Sequence, residues 1–184
     1  EFTIGLMLSE TRNIARSHYA LKQGTWKEFY PNSSFIPELN ELTIGLIGYG
    51  QNGQLVANKL KSFDAKIIIH DPFVDDEIIN KDGFIPVGIE ILLSTSDIIS
   101  LHVRLTKSTE KMIGRSEFEK MKKTSYFINT ARSGLVDTDA LVTALKNNAI
   151  QGAAIDVFDV EPLPENSEIL QLENITLTNH RAGD

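Results

Sequence analysis

A chain of 184 residues, 41% hydrophobic and 23% charged, carries enough apolar side chain for one globular domain with a sizeable core and too little for two full ones. Its formal charge of −7 and pI near 5.1, with no basic cluster, exclude the footprint of a nucleic-acid binder. The absence of cysteine excludes disulfides, thiolate nucleophiles and cysteine metal sites. No other metal constellation replaces them, no apolar run approaches the roughly 20 residues of a membrane span, and no leader pattern opens the chain, so the expectation is a soluble, cytoplasmic protein.

Residues 1–21 place Ile4, Leu6, Met7, Leu8, Ile14, Ala15 and Leu21 at roughly helical spacing, and Gly24 follows as a stop. The spacing predicts one amphipathic helix that begins uncapped, as though the chain had been cut from something longer. Residues 23–41, with Gly24, Pro31, Pro37 and a Ser/Asn cluster, read as a loop. A strand over 43–47 then runs into Gly48-Tyr49-Gly50-Gln51-Asn52-Gly53 and a helix, and a second strand over 65–70 ends on Asp71. Beyond it come a short helix at 75–80, a strand at 84–87, a helix at 88–93 and a buried-type strand at 97–103. A region helical in two pieces covers 108–123, followed by a strand at 125–129, an amphipathic helix at 137–147 and strands at 152–156 and 175–178. Strands separated by helices imply an α/β fold, a parallel, doubly wound sheet of Rossmann type, whose ligand crevice lies outside the carboxyl ends of the strands.

The stretch from 42 to 71 points to a dinucleotide. Gly48 allows the tight turn, Gly50 lets the backbone approach a pyrophosphate, and Gly53 lets the helix pack closely on the sheet. That helix presents free N–H groups and its positive dipole end, so no basic side chain is required there. Glycines in this pattern also occur in ordinary turns, but here both strands, the helix and a terminal acid are in register, with Asp71 about 18 residues after Gly53. Asp71 can accept hydrogen bonds from a ribose diol and would repel a 2′-phosphate, which predicts NAD over NADP.

The other strand ends carry His102-Val103-Arg104, Thr130-Ala131-Arg132, Asp156 and His180. Arg132 offers a planar fork for a carboxylate, a reading its place after a buried strand favours over a surface salt bridge. His180 is the side-chain type whose proton equilibrium lies nearest neutral pH, as acid–base chemistry requires, and Glu161 is a candidate partner for its far nitrogen. His18 has no chemical neighbour in the sequence, His70 precedes Asp71 and faces away from it by strand alternation, His102 reads as lining, and the lysines at 120–123 read as a solvated helix end.

These residues resemble the NAD-binding domain of the D-isomer-specific 2-hydroxyacid dehydrogenases, the group containing D-3-phosphoglycerate, glycerate and D-lactate dehydrogenases. The likeness runs from Arg12-Asn13-Ile14 and Gly24-Thr25-Trp26 through Ile44-Gly45-Leu46-Ile47-Gly48-Tyr49-Gly50 and Leu101-His102-Val103-Arg104-Leu105-Thr106. It continues through Ile128-Asn129-Thr130-Ala131-Arg132-Ser133-Gly134-Leu135-Val136-Asp137, Gly152-Ala153-Ala154-Ile155-Asp156-Val157-Phe158 and Glu161-Pro162 to Leu177-Thr178-Asn179-His180. The resemblance implies that Arg132 binds and polarises a 2-keto acid, His180 exchanges the hydroxyl proton, and Glu161 supports His180. It further implies that Gln51 and Asn52 meet the pyrophosphate, Asp71 the adenosine ribose and Val103 the crevice wall. Thr130, Ala131 and Asp156 would lie beside the nicotinamide, with residues from His180 through Ala182 to Gly183 closing the site. By the same resemblance, residues 1–24 would be an interdomain and dimerisation helix, residues 25–184 the NAD-binding domain, the substrate domain would be absent, and the protein would be a homodimer. An NAD(H)-sensing, corepressor-like module of the same fold is the alternative. Four positions depart from the family pattern: Asn52 for an aliphatic residue, Arg104 for proline, Ser133 for glycine and Asn179 for proline.

Overall fold

The structure is a computed structural model and describes residues 1–30, 32 and 36–183. Pro31, Ser33 and Ser34 of the expected loop lie outside the described residues.

Seven strands form one parallel sheet: β1 (Thr43–Ile47), β2 (Lys66–His70), β3 (Ile85–Pro86), β4 (Ile98–Leu101), β5 (Tyr126–Asn129), β6 (Gly152–Ile155) and β7 (Ile175–Leu177). Their spatial order is β3-β2-β1-β4-β5-β6-β7, so the chain reverses its winding direction between β1 and β4. Connections run through α3 (Gln51–Leu60), α4 (Asp76–Lys81), α5 (Ile89–Thr95), α6 (Arg115–Lys120) and α7 (Thr138–Lys146). Side chains that alternate along each strand feed two cores. Ile44, Leu46, Ile67, Ile69 and Ile128 pack on one face with α3, while Ile68, Ile99, Leu101, Phe127 and Ile155 pack on the other with α5, α6 and α7.

The amino-terminal segment is two helices, α1 (Phe2–Thr11) and α2 (Ile14–Lys22), where the spacing predicts one. Asn13 interrupts it in the left-handed conformation, φ 56°, which asparagine tolerates better than most residues. Its side chain donates to Asn32 Oδ1 at 2.6 Å, and Asn32 in turn donates to the Tyr126 hydroxyl at 2.8 Å. The bend lets α1 bury Ile4, Leu6 and Met7 against β5, β6 and β7, while α2 buries none of its residues. Only Arg115–Lys120 is helical within 108–123. The Thr109 hydroxyl instead accepts from Thr106 N and donates to the Arg104 carbonyl, the local side-chain competition that threonine offers a helix.

An ion pair lies under this bend. Glu10, fully buried, receives Arg16 Nη2 at 2.6 Å and the Thr176 hydroxyl, tying α1 to α2 and β7. Burial pushes the Glu10 carboxyl up, and Arg16 and Thr176 pull it back. Glu10→Ala strands a mostly buried guanidinium, so we expect a loss of about 3–5 kcal/mol of stability, read by urea unfolding. A loss under about 1 kcal/mol would show that the pair does not hold the bend.

Candidate active site

The carboxyl ends of the strands bring the predicted residues to one edge of the sheet. In the order β2, β1, β4, β5, β6, β7 that edge carries Asp71, the glycine turn, residues 102–105, residues 130–132, Asp156 and His180.

The glycine turn has the shape a diphosphate needs. Gly48 sits at φ 102°, and a Cβ there would lie 2.7 Å from the His102 carbonyl. A Cβ on Gly53 would lie 2.2 Å from the Gly48 carbonyl oxygen, so only glycine lets α3 approach this closely. Gly50 differs: nothing stands within 4 Å of its Cβ position, which leaves open space where a ligand would approach. Gly50, Gln51 and Asn52 are exposed, and the first N–H groups of α3 have no acceptor inside the helix. Asp71 braces this turn, since its Oδ2 accepts from Tyr49 N at 2.7 Å and its Oδ1 from Phe73 N at 2.9 Å. Each oxygen keeps a second lone pair for a ribose diol. His70 points elsewhere, with Nδ1 3.0 Å from the Val87 carbonyl. The Val103 side chain lies against Gly48. His102 packs on Gly48 and Gly53 with Nε2 3.0 Å from Ser100 Oγ. Burial pushes the His102 pKa down to about 4, which keeps the ring neutral at physiological pH.

The arginine loop is held by a residue the sequence did not single out. Asn129, at the end of β5 and 1% exposed, accepts from Ala131 N and donates to the Arg132 carbonyl, both at 3.0 Å. Its side-chain amide thus spans the turn that presents Arg132. Thr130 shares a hydroxyl contact of 2.8 Å with Thr3 of α1. Arg132 is exposed, and Nη1 donates to the Ala131 carbonyl at 2.6 Å, which orients the rest of the fork.

Asp156 is fully buried and serves the next loop. It accepts from the Thr178 hydroxyl at 2.6 Å, Arg181 N at 2.9 Å and Ala182 N at 2.8 Å, fixing residues 178–182 over β6. Gly183 ends the described segment, with nothing within 4 Å of its Cβ position. His180 takes the left-handed conformation, φ 58°. Its Nδ1 lies 2.8 and 3.0 Å from the two carboxylate oxygens of Glu161, whose Oε1 also accepts from Phe158 N at 3.0 Å. These contacts, His180 first and then the Phe158 N–H, hold the Glu161 carboxyl below the usual carboxylate range. With Nδ1 engaged by the carboxylate, Nε2 is the ring nitrogen left for a ligand. Under the loop that carries Glu161 lies an apolar cavity of about 250 Å³, lined by Val136, Leu141, Ile155, Leu163 and Ile169 among others. No sequence pattern marked it, since its walls come from elements far apart in the chain.

Among the described residues no helix is long and apolar enough to cross a membrane. The family model described as D-isomer specific 2-hydroxyacid dehydrogenase, NAD binding domain, matches residues 4–182. A glyoxylate reductase of Thermofilum pendens is 44% identical over all of this chain, which covers 55% of that protein. A D-3-phosphoglycerate dehydrogenase of Methanocaldococcus jannaschii is 41% identical, again over the whole chain and 34% of its own length. The crystal structure of a D-lactate dehydrogenase with NAD+ from Lactobacillus jensenii superposes with a TM-score of 0.84 at 30% identity, over 97% of this chain and 57% of that one. The chain thus spans about half or less of the length of these relatives. It belongs to the D-isomer-specific 2-hydroxyacid dehydrogenases, as their Rossmann-type NAD-binding domain.

Proposed function

We propose that this domain serves an NAD-dependent enzyme interconverting a D-2-hydroxy acid and its 2-keto acid. The contact between His180 and Glu161 carries the reading, because a carboxylate-braced imidazole at the cofactor edge is a proton donor and acceptor in waiting. NAD, when bound, gives or takes the hydride. Arg132 grips the substrate carboxylate and polarises the keto oxygen, and His180 moves the proton to and from that oxygen through Nε2 while Glu161 holds the ring by Nδ1. Gln51 and Asn52 serve the pyrophosphate, Asp71 the ribose and Val103 the wall. Thr130, Ala131 and Asp156 border the nicotinamide end together with the segment from His180 to Gly183. The relatives reported above are named as enzymes, and no observation favours the regulatory module. A screen of 2-keto acids with NADH on the full-length protein tests this reading, and the absence of turnover for every acid would defeat it.

Asp71 sets the choice of cofactor in this proposal. We expect NADH to bind tighter than NADPH, and Asp71→Ala to narrow the difference by about 1–3 kcal/mol, read by calorimetry. Equal affinity in the unaltered protein would remove Asp71 from this role. The protein works in the cytoplasm as a two-fold homodimer, a reading supported by the apolar surface that Tyr19, Leu21, Trp26 and Phe29 leave exposed. Sedimentation at micromolar concentration should give twice the chain mass; a monomer there would count against the dimer.

A further inference from the structure

Arg104 belongs to none of the roles above, yet it stands at the junction of the site. On one side of it, Val103 Cγ1 lies 2.8 Å from the Cβ position of Gly48, in the cofactor turn. On the other, Leu105 Cδ2 lies 2.9 Å from the Cβ position of Gly134, in the loop that follows Arg132. Val103 is part-buried against that turn, Leu105 touches Gly134 while remaining 40% exposed, and the Arg104 side chain between them is exposed. Within the loop, the Thr109 hydroxyl donates to the Arg104 carbonyl at 2.7 Å and accepts from Thr106 N at 2.8 Å. Among the described residues Arg16 pairs with Glu10 and Arg115 with Glu119, but no carboxylate pairs with Arg104. A chain of net charge −7 therefore leaves this cation unneutralised at the centre of the edge, between Asp71 and His180.

The ligand that crosses this edge carries phosphates. The amino end of α3 can cradle only one side of a diphosphate, with backbone N–H groups and a fraction of a charge. Oxygens on the far side need another donor, and a guanidinium fits phosphate oxygens two at a time. We propose that Arg104 clamps a phosphate of the bound dinucleotide, complementing the α3 amino terminus, and so sets how tightly this domain holds its cofactor. The inference rests on the NAD-binding reading of the glycine turn.

Calorimetry on the full-length protein with NADH, ADP-ribose and NADPH tests it, using Arg104→Gln and Arg104→Lys. We expect Arg104→Gln to weaken NADH and ADP-ribose by the same factor, about 5- to 20-fold, and to flatten the salt dependence of binding, with Arg104→Lys keeping part of both. The thermal midpoint should not move, since the side chain is exposed. A loss confined to NADPH would place the clamp on a 2′-phosphate instead of the diphosphate. Unchanged affinities and salt slope for all three ligands would overturn the proposal while leaving the glycine turn intact; an unaltered protein that binds no dinucleotide would overturn both.

Discussion

In the full-length protein, on the proposed function, His180→Ala is expected to lower kcat by about 10²–10⁴-fold while leaving NADH affinity nearly unchanged. The geometry separates the two effects. The glycine turn, Asp71 and α3 form a unit braced by the Tyr49 N–H on the Asp71 carboxylate and the Gly48 N–H on the His70 carbonyl, neither of which involves His180. The imidazole instead hangs from the 178–182 segment, which Asp156 fixes through the Thr178 hydroxyl and two backbone N–H groups. Removing the ring therefore takes away the proton partner without loosening the cofactor cradle. Glu161→Gln is the finer probe. Its carboxyl is held below the ordinary range by His180 and the Phe158 N–H, and that charged acceptor holds the ring by Nδ1. The neutral amide keeps the shape but removes the charged acceptor that orients the ring, so kcat should fall while NADH affinity holds. Intact kcat in both variants would mean that the pair seen in the structure plays no part in proton transfer.

The parallel sheet was legible because its strands are short apolar runs ending on Gly48, Asp71, Arg132 and Asp156, and strand ends are where such folds place chemistry. The His180–Glu161 pair was legible only as two residue types with matching chemistry; the contact itself depends on a loop of irregular backbone. Other features were not legible, each for a physical reason. The bend at Asn13 breaks an unbroken helical pattern because Asn32 and Tyr126, far along the chain, satisfy its side chain better than a continued helix would. The non-helical course of residues 108–112 follows from one threonine hydroxyl that outbids the helix for local backbone groups. Asn129 reads as the last residue of a strand, and only the folded loop shows that its amide shapes the arginine turn. Asp156 reads as another acid in the crevice, whereas its bonds to Thr178, Arg181 and Ala182 make it the anchor of the histidine segment.

Arg132→Ala should damage KM and kcat together, with a combined loss in kcat/KM of about 10²–10³-fold. In the proposed reaction the substrate carboxylate, already charged in the ground state, would give Arg132 a contact before reaction, and negative charge building on the adjacent oxygen would strengthen it in the transition state. Both parameters must then move. The turn is built to hold the side chain still: Asn129 clamps the backbone on either side of Ala131, and Nη1 rests on the Ala131 carbonyl. The remaining donors are pre-oriented, which an ammonium on a flexible stem cannot copy, so Arg132→Lys should restore only a minor part of the loss. Asn129→Ala provides the matching test of positioning. It leaves the guanidinium in place but frees its turn, so kcat should fall more than KM rises, and Arg132→Ala on top of it should cost less than in the unaltered enzyme. Full activity in Arg132→Lys would show that a bare positive charge suffices, and additive losses in the double variant would show that Asn129 acts elsewhere.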